Sequence, residues 1–162
     1  DACLGRCYFH EGRFDAAVDH LKSSLDQFSE QRVIRWQSLF LSWLAEAFDA
    51  GGDHQDSANT RTQSKQTLTE AGDYWHQPDI MRLDAALAED GVALQSALEA
   101  AWQMNSPAWA LRAAIDTVRL SERHGTDMAA NLAQLASIME KFEEGFDTAD
   151  IRHARSLLER LN

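Results

Sequence analysis

The sequence predicts an all-α chain: a solenoid of antiparallel helix pairs closed by a C-terminal capping helix. Three observations predict it. Residues 4–25 carry a helical apolar pattern that breaks once, at Gly12, and resumes on a different face, as a helical hairpin does. The series Ala2, Leu4, Gly5, Tyr8, Gly12 and Ala17 returns forty residues later as Ser42, Leu44, Ala45, Phe48, Gly52 and Ser57, which an isolated hairpin of an unrelated bundle would not require. With two prolines, eight glycines and 44% hydrophobic residues among 162, the composition is that of an ordered, mainly helical chain. That length suffices for one domain with a real core, or for three to four stacked pairs and a cap.

The elements follow in order. Residues 2–11 and 14–29 form the first hairpin, the second helix placing Phe14, Ala17, Val18, Leu21, Leu25 and Phe28 on one face, with Ser29, Glu30 and Gln31 as a polar joint. The next helix, about 33–49, is apolar around almost its whole circumference, from Val33, Ile34 and Trp36 to Ala47 and Phe48, and is expected at the centre of the core. After the turn at 49–53, residues 54–71 offer only Ala58, Leu68 and Ala71 as apolar anchors, so this segment is expected to be lightly packed or partly irregular. Pro78 suits the first turn of a further helix, with Asp79 near the positive end of its dipole and Ile80, Met81, Leu83, Ala86 and Leu87 as its apolar face. Leu94, Ala97, Leu98, Ala101 and Trp102 make the partner face. A fourth pair runs from about Ala108, its second helix striped by Met128, Leu132, Leu135, Ile138, Met139 and Phe142. Gly145 stops it, Phe146 is expected to tuck beneath, and Thr148 caps a last helix with Ile151, Ala154, Leu158 and Leu161 facing inward. A solenoid needs such a cap, because its last apolar face has no further repeat to cover it.

The series at Leu4, Gly5, Tyr8, Gly12, Phe14 and Ala17 resembles the tetratricopeptide repeat, whose units run about 34 residues. The resemblance implies one tetratricopeptide-like domain over 1–162, with repeats at approximately 1–31, 32–72, 74–107 and 108–145 and a cap at 147–162. More closely, the chain is similar to the C-terminal region of bacterial multidomain signalling proteins. In these, a class III nucleotide cyclase or DNA-binding domain precedes a P-loop ATPase-like module and a tetratricopeptide region. The matching residues are Trp109 to Ala114, Phe142, Gly145, Phe146, Asp147, Thr148, Asp150 and Ile151, with Trp43 to Ala47 and the Tyr74-Trp75 helix entry. The resemblance implies a piece of a longer protein, ending at its C terminus, with any cyclase or ATPase chemistry upstream.

Several function classes are set aside on the residues alone. Fifteen Lys and Arg against 26 Asp and Glu, a net charge of −11, would repel a phosphate backbone, so no nucleic-acid partner is expected. The apolar runs fall short of the ~20 residues of a membrane span, and no membrane partner is expected. No catalytic residue, cofactor or metal is assigned: there is no phosphate-binding glycine loop, HExxH or nucleophile elbow. The six histidines are scattered singly and read as surface residues. Cys3, Cys7 and His10 follow at helical spacing but would leave a zinc ion without a fourth ligand. Cysteines filling a repeat interface, in a reducing compartment, are the better account.

What remains is a non-catalytic cytoplasmic module that binds a protein or peptide, another domain of the same chain, or a second copy. If repeat geometry holds, its concave face draws on first-helix residues Arg6, Phe9 and His10, and on Ser42, Glu46 and Asp49 from the next pair. The alternative is a small-molecule sensor whose pocket is lined by Trp36, Trp43, Trp102 or Trp109 and which controls an upstream cyclase, ATPase or transcription-regulator domain.

Overall fold

A computed structural model describes residues 1–72 and 74–161; the last residue of the predicted cap lies outside this set. The described residues form helices joined by turns, without strands, and fall into two compact units, Asp1–His76 and Gln77–Asn162.

The first unit contains α1 (Ala2–His10), α2 (Phe14–Glu30), α3 (Gln37–Gly51), α4 (His54–Ala71) and a 3₁₀ turn, Tyr74–His76. Gly5 has no room for a side chain: an added Cβ would stand 2.8 Å from Leu21 Cγ and 3.2 Å from the Ala17 carbonyl, so α1 and α2 meet backbone to side chain there. Gly12 (φ 73°) reverses the chain, with the Arg13 N–H returning to the Tyr8 carbonyl at 2.9 Å. Forty residues later Gly52 (φ 92°) repeats the device, the Asp53 N–H donating to the Phe48 carbonyl at 2.8 Å. The central helix is α3, which packs on α1, α2 and α4 and buries Leu39, Phe40, Leu41, Leu44, Ala45, Ala47 and Phe48.

Three expectations for this unit are corrected. The third helix starts at Gln37, not near residue 33: Arg32 (φ 55°) ends the preceding reversal without a glycine, Trp36 (φ 75°) stands left-handed ahead of α3, and Val33, Ile34 and Trp36 are exposed. The polar segment 54–71 is a regular helix that packs closely on α3. It does so through Ser57, Thr60, Ser64 and Leu68, because small hydroxyl side chains let two backbones approach, and Ser64 Oγ donates to the buried Ser38 carbonyl at 2.7 Å. Cys3 and Cys7 fill no interface; both are exposed, since α1 buries the opposite face with Ala2 and Gly5.

The second unit contains α5 (Gln77–Leu87), α6 (Gly91–Gln103), α7 (Pro107–His124), α8 (Met128–Met139) and α9 (Ala149–Leu161). Asp90 caps α6 by accepting the Val92 and Ala93 N–H groups, each at 3.0 Å. Here α7 is central: it packs on α5, α6, α8 and α9, and Leu111, Ala114, Ile115 and Val118 meet Leu98, Leu132, Leu135, Ile138, Ile151, Ala154 and Leu157. The expected stripe extends past the end of α8 only as the half-buried Phe142. Phe146 does not tuck beneath it, the ring being 49% exposed; from α9 the predicted Ile151 and Ala154 are buried, Leu158 and Leu161 pack partly buried against the core, and Leu157 is buried beside them.

Candidate functional site

The six residues predicted to face a partner all lie on α1 and α3, and the fold gathers three of them tightly. Arg6 Nη1 donates to Glu46 Oε2 at 2.5 Å, and its guanidinium lies 4.7 Å from the Phe9 ring centre and 5.7 Å from that of Trp43. An arginine stacked on two aromatic rings and bonded to a carboxylate is held in one geometry, so Arg6 and Glu46 join α1 to α3. Phe9 packs beside His10 and Phe14, with ring centres 5.6 and 5.8 Å away. Asp49 accepts from His54 at 2.9 Å, across the Gly52 turn. Ser42 is buried and its hydroxyl donates to the Leu39 carbonyl at 2.7 Å, so it supports the face from behind. His10 remains exposed at the end of α1.

The four tryptophans offered for a ligand pocket are divided between the units. Trp36 meets Trp75 edge-on at 4.8 Å, and Trp43 packs on Phe40 at 5.5 Å with its buried indole N–H lacking a hydrogen-bond partner. In the second unit Trp102 is exposed, and Trp109 lies 5.7 Å from the Arg112 guanidinium.

Two polar clusters escaped the sequence reading. The first corrects the expectation that histidines lie at the surface. His76 is 0% exposed, and its Nε2 shares a 2.7 Å hydrogen bond with Ser38 Oγ. The second is a buried ion network in the second unit. Asp79 Oδ1 accepts Arg82 Nε at 2.7 Å, Asp79 Oδ2 accepts Arg112 Nη1 at 2.8 Å, and Asp116 Oδ2 accepts Arg82 Nη1 at 2.6 Å. It continues outward through Arg119, whose Nη1 donates to Asp116 at 3.3 Å and Nη2 to His153 Nδ1 at 3.3 Å. Burial, then the Arg119 and Arg160 charges, hold the His153 pKa below the ordinary histidine value against the opposing pull of Asp116 and Asp150. At the surface, the hydrogen bond from Arg160 lowers the Glu122 carboxyl and raises the Arg160 guanidinium in return. The available signal in the sequence was Asp79 with Arg82 at i, i+3, and Arg112 with Asp116 at i, i+4, the two pairs standing about one repeat apart.

Among the described residues no three His, Cys, Asp or Glu side chains gather closely enough to hold a metal ion, and no helix is long and apolar enough to cross a membrane. Open clefts lie between the α1–α2 and α3–α4 turns (about 510 Å³, including Gly12, Arg13 and Gly51) and at the α5–α6 and α7–α8 turns (about 640 Å³, including Asp90, Ser121 and Asn131). Compared with family models, characterised proteins and solved structures, the chain matches none of them.

Proposed function

We propose that this chain is a non-catalytic, tetratricopeptide-like interaction module, a cytoplasmic regulatory part of a larger bacterial signalling protein. The observation that supports it most is the spacing of contacts between side chains far apart in sequence. Arg6 and Glu46 are 40 residues apart, Asp79 and Arg112 are 33, Arg82 and Asp116 are 34, and Arg119 and His153 are 34. Within each unit these contacts link first-position helices of successive pairs, or the last pair to α9, at a separation close to the repeat length of about 34 residues. Within a unit, helices set side by side at that spacing present one face, the kind of surface such modules offer to a peptide.

In the first unit that face is Phe9, His10 and Asp49, held in place by the Arg6–Glu46 pair. Peptides selected by display against the immobilised chain should lose binding at least tenfold on His10→Ala combined with Asp49→Lys. The swap Arg6→Glu with Glu46→Arg, which preserves the pair, should keep the fold but change which peptides are selected. If selected peptides ignore all four substitutions, the face has been assigned to the wrong residues.

A further inference from the structure

Two surfaces outside the α1–α3 face are left uncovered by their own unit, and they match each other. The first is the segment between α2 and α3. Residues 31–45 contain Arg32 and Arg35 and no carboxylate, in a chain of net charge −11. Its tip is apolar: Ile34 is 53% exposed, with Val33 and Trp36 exposed beside it. The tip is also held. The Val33 N–H returns to the Phe28 carbonyl at 2.9 Å, Gln37 Nε2 donates to the Val33 carbonyl at 2.7 Å, and Trp36 keeps a left-handed backbone while its ring rests on Trp75. A tryptophan at φ 75° is strained. The strain maintains a projecting apolar tip where a helix starting at residue 33 would have hidden it.

The second surface lies on the second unit. A pocket of about 300 Å³ opens between α7 and α9, with Leu111, Phe142 and Ile151 inside and Glu144 and Asp150 at its edge. The segment around it, residues 140–150, carries Glu140, Glu143, Glu144, Asp147 and Asp150 against one cation, Lys141, and leaves Phe146 exposed beside the opening. Arg112 Nε is 3.8 Å from Asp150 and offsets part of that charge.

We propose that the Ile34 tip of one copy seats in the Phe142–Ile151 pocket of a second copy, with Arg32 against the carboxylate rim. The pocket has room for one branched aliphatic side chain with part of its neighbours, and the rim charge is opposite to that of the loop. An anchor residue entering a desolvated pocket is the usual source of interface energy, and opposite potentials orient the approach. The two surfaces differ, so every contact joins the loop of one copy to the pocket of another. A single anchor is a small interface, which places the association in the weak class. This inference deepens the interaction-module reading by naming a partner, but it does not use the α1–α3 face.

Sedimentation of the whole chain from ~10 μM to ~1 mM tests it. The average mass should rise above that of a single chain, and less steeply in 0.5 M salt, because the rim is exposed. Ile34→Asp and Glu144→Lys, both at exposed positions, should each weaken association at least tenfold with unchanged thermal unfolding. Mixing the two variants should then restore a one-to-one dimer and nothing larger, since one copy retains the pocket and the other the loop. A chain that stays at 18.2 kDa across the range overturns the proposal. So does assembly indifferent to both substitutions. Selected peptides that still bind the α1–α3 face in these variants would leave the module reading standing if self-association fails.

Discussion

Replacing Asp79 by asparagine keeps the shape of the buried network and removes the carboxylate that Arg82 and Arg112 share. Asp79 is 1% exposed and Arg82 4%, and the four members Asp79, Arg82, Arg112 and Asp116 balance two negative charges against two positive ones. The neutral amide would leave one excess positive charge where water cannot reach it. Removing one partner from a buried ion pair costs about 3–5 kcal/mol. Because the amide oxygen still accepts one hydrogen bond, the lower end, ~3 kcal/mol, is expected. That is a large share of a typical total stability of about 5–15 kcal/mol. For a unit of this size it corresponds to a fall in midpoint of roughly 12 °C or more. The measurement is urea and thermal unfolding of Asp79→Asn beside Asp150→Asn, whose carboxylate is 3.8 Å from Arg112 and 45% exposed. The latter should change stability little, and the gap between the two should persist in 1 M salt, since buried charges are weakly screened. A loss below about 1 kcal/mol for Asp79→Asn, or one that salt abolishes, would refute the network as a closed, water-excluded unit.

Three other outcomes are expected. Gly5→Ala should destabilise by about 1–3 kcal/mol in chemical unfolding, because its Cβ would meet Leu21 Cγ at 2.8 Å; Gly51→Ala, whose nearest neighbour is Phe14 Cβ at 3.7 Å, should be neutral or stabilise by about 0.5–1 kcal/mol. Stability measured against pH should be level above about pH 6.5 as far as His153 is concerned, and should fall as pH drops through that value. The reason is that burial and Arg119 depress its folded pKa, so the unfolded chain takes up the proton first; His153→Gln should flatten that limb. Deleting residues 146–162 should bring aggregation or a much lower midpoint by thermal unfolding and gel filtration. Buried Ile151 and Leu157 contribute about 1.5–3 kcal/mol each, whereas Phe146→Ser alone should leave the midpoint unchanged because that ring is already exposed.

Where apolar spacing and turn residues agreed, the sequence was enough to place an element. The reversals at Gly12 and Gly52 and the burial of Leu111, Leu132, Leu135 and Ile151 all follow from local pattern. The start of α3 was illegible for a physical reason. Val33, Ile34 and Trp36 continue a helical apolar pattern, and the break depends on Arg32 and Trp36 taking positive φ, which neither residue type advertises. The packing of α4 was hidden for the opposite reason. Periodicity counts apolar residues, while Ser57, Thr60 and Ser64 are buried because they are small, and the apolar contribution comes from α3. For the candidate site, the pairing of positions forty apart gave Arg6 and Glu46 their shared face, but it could not say that they would bind each other. An acid and a base at equivalent positions of adjacent repeats can serve a ligand or close on one another. Only the distance between the helices decides, and at 2.5 Å they close.

That closure bears on how the face is organised. Ion pairs between helices are costly to bury, since each charge must be desolvated before it gains its partner, and apolar residues of similar volume often give equal or greater stability. Their recurrence at separations of 33, 34 and 40 therefore calls for an effect other than stability. Register is the effect best matched to the geometry. Small apolar residues such as Ala45, Ala85 and Ala113 are buried but make no directional bond to fix which turn meets which. A charged pair does fix it, because a shift of one turn, ~5.4 Å, would separate the partners and leave both buried. Arg82 holds Asp79 on its own helix and Asp116 on α7, while Arg112 returns from α7 to Asp79, so the α5–α7 step is clamped from both sides. In the first unit the α1–α3 step carries the Arg6–Glu46 pair, with the Phe9 and Trp43 rings against the guanidinium. On the proposed reading, Phe9, His10 and Asp49 are then displayed on helices whose register is fixed by a bonded pair, as Arg82 and Arg112 fix it between α5 and α7.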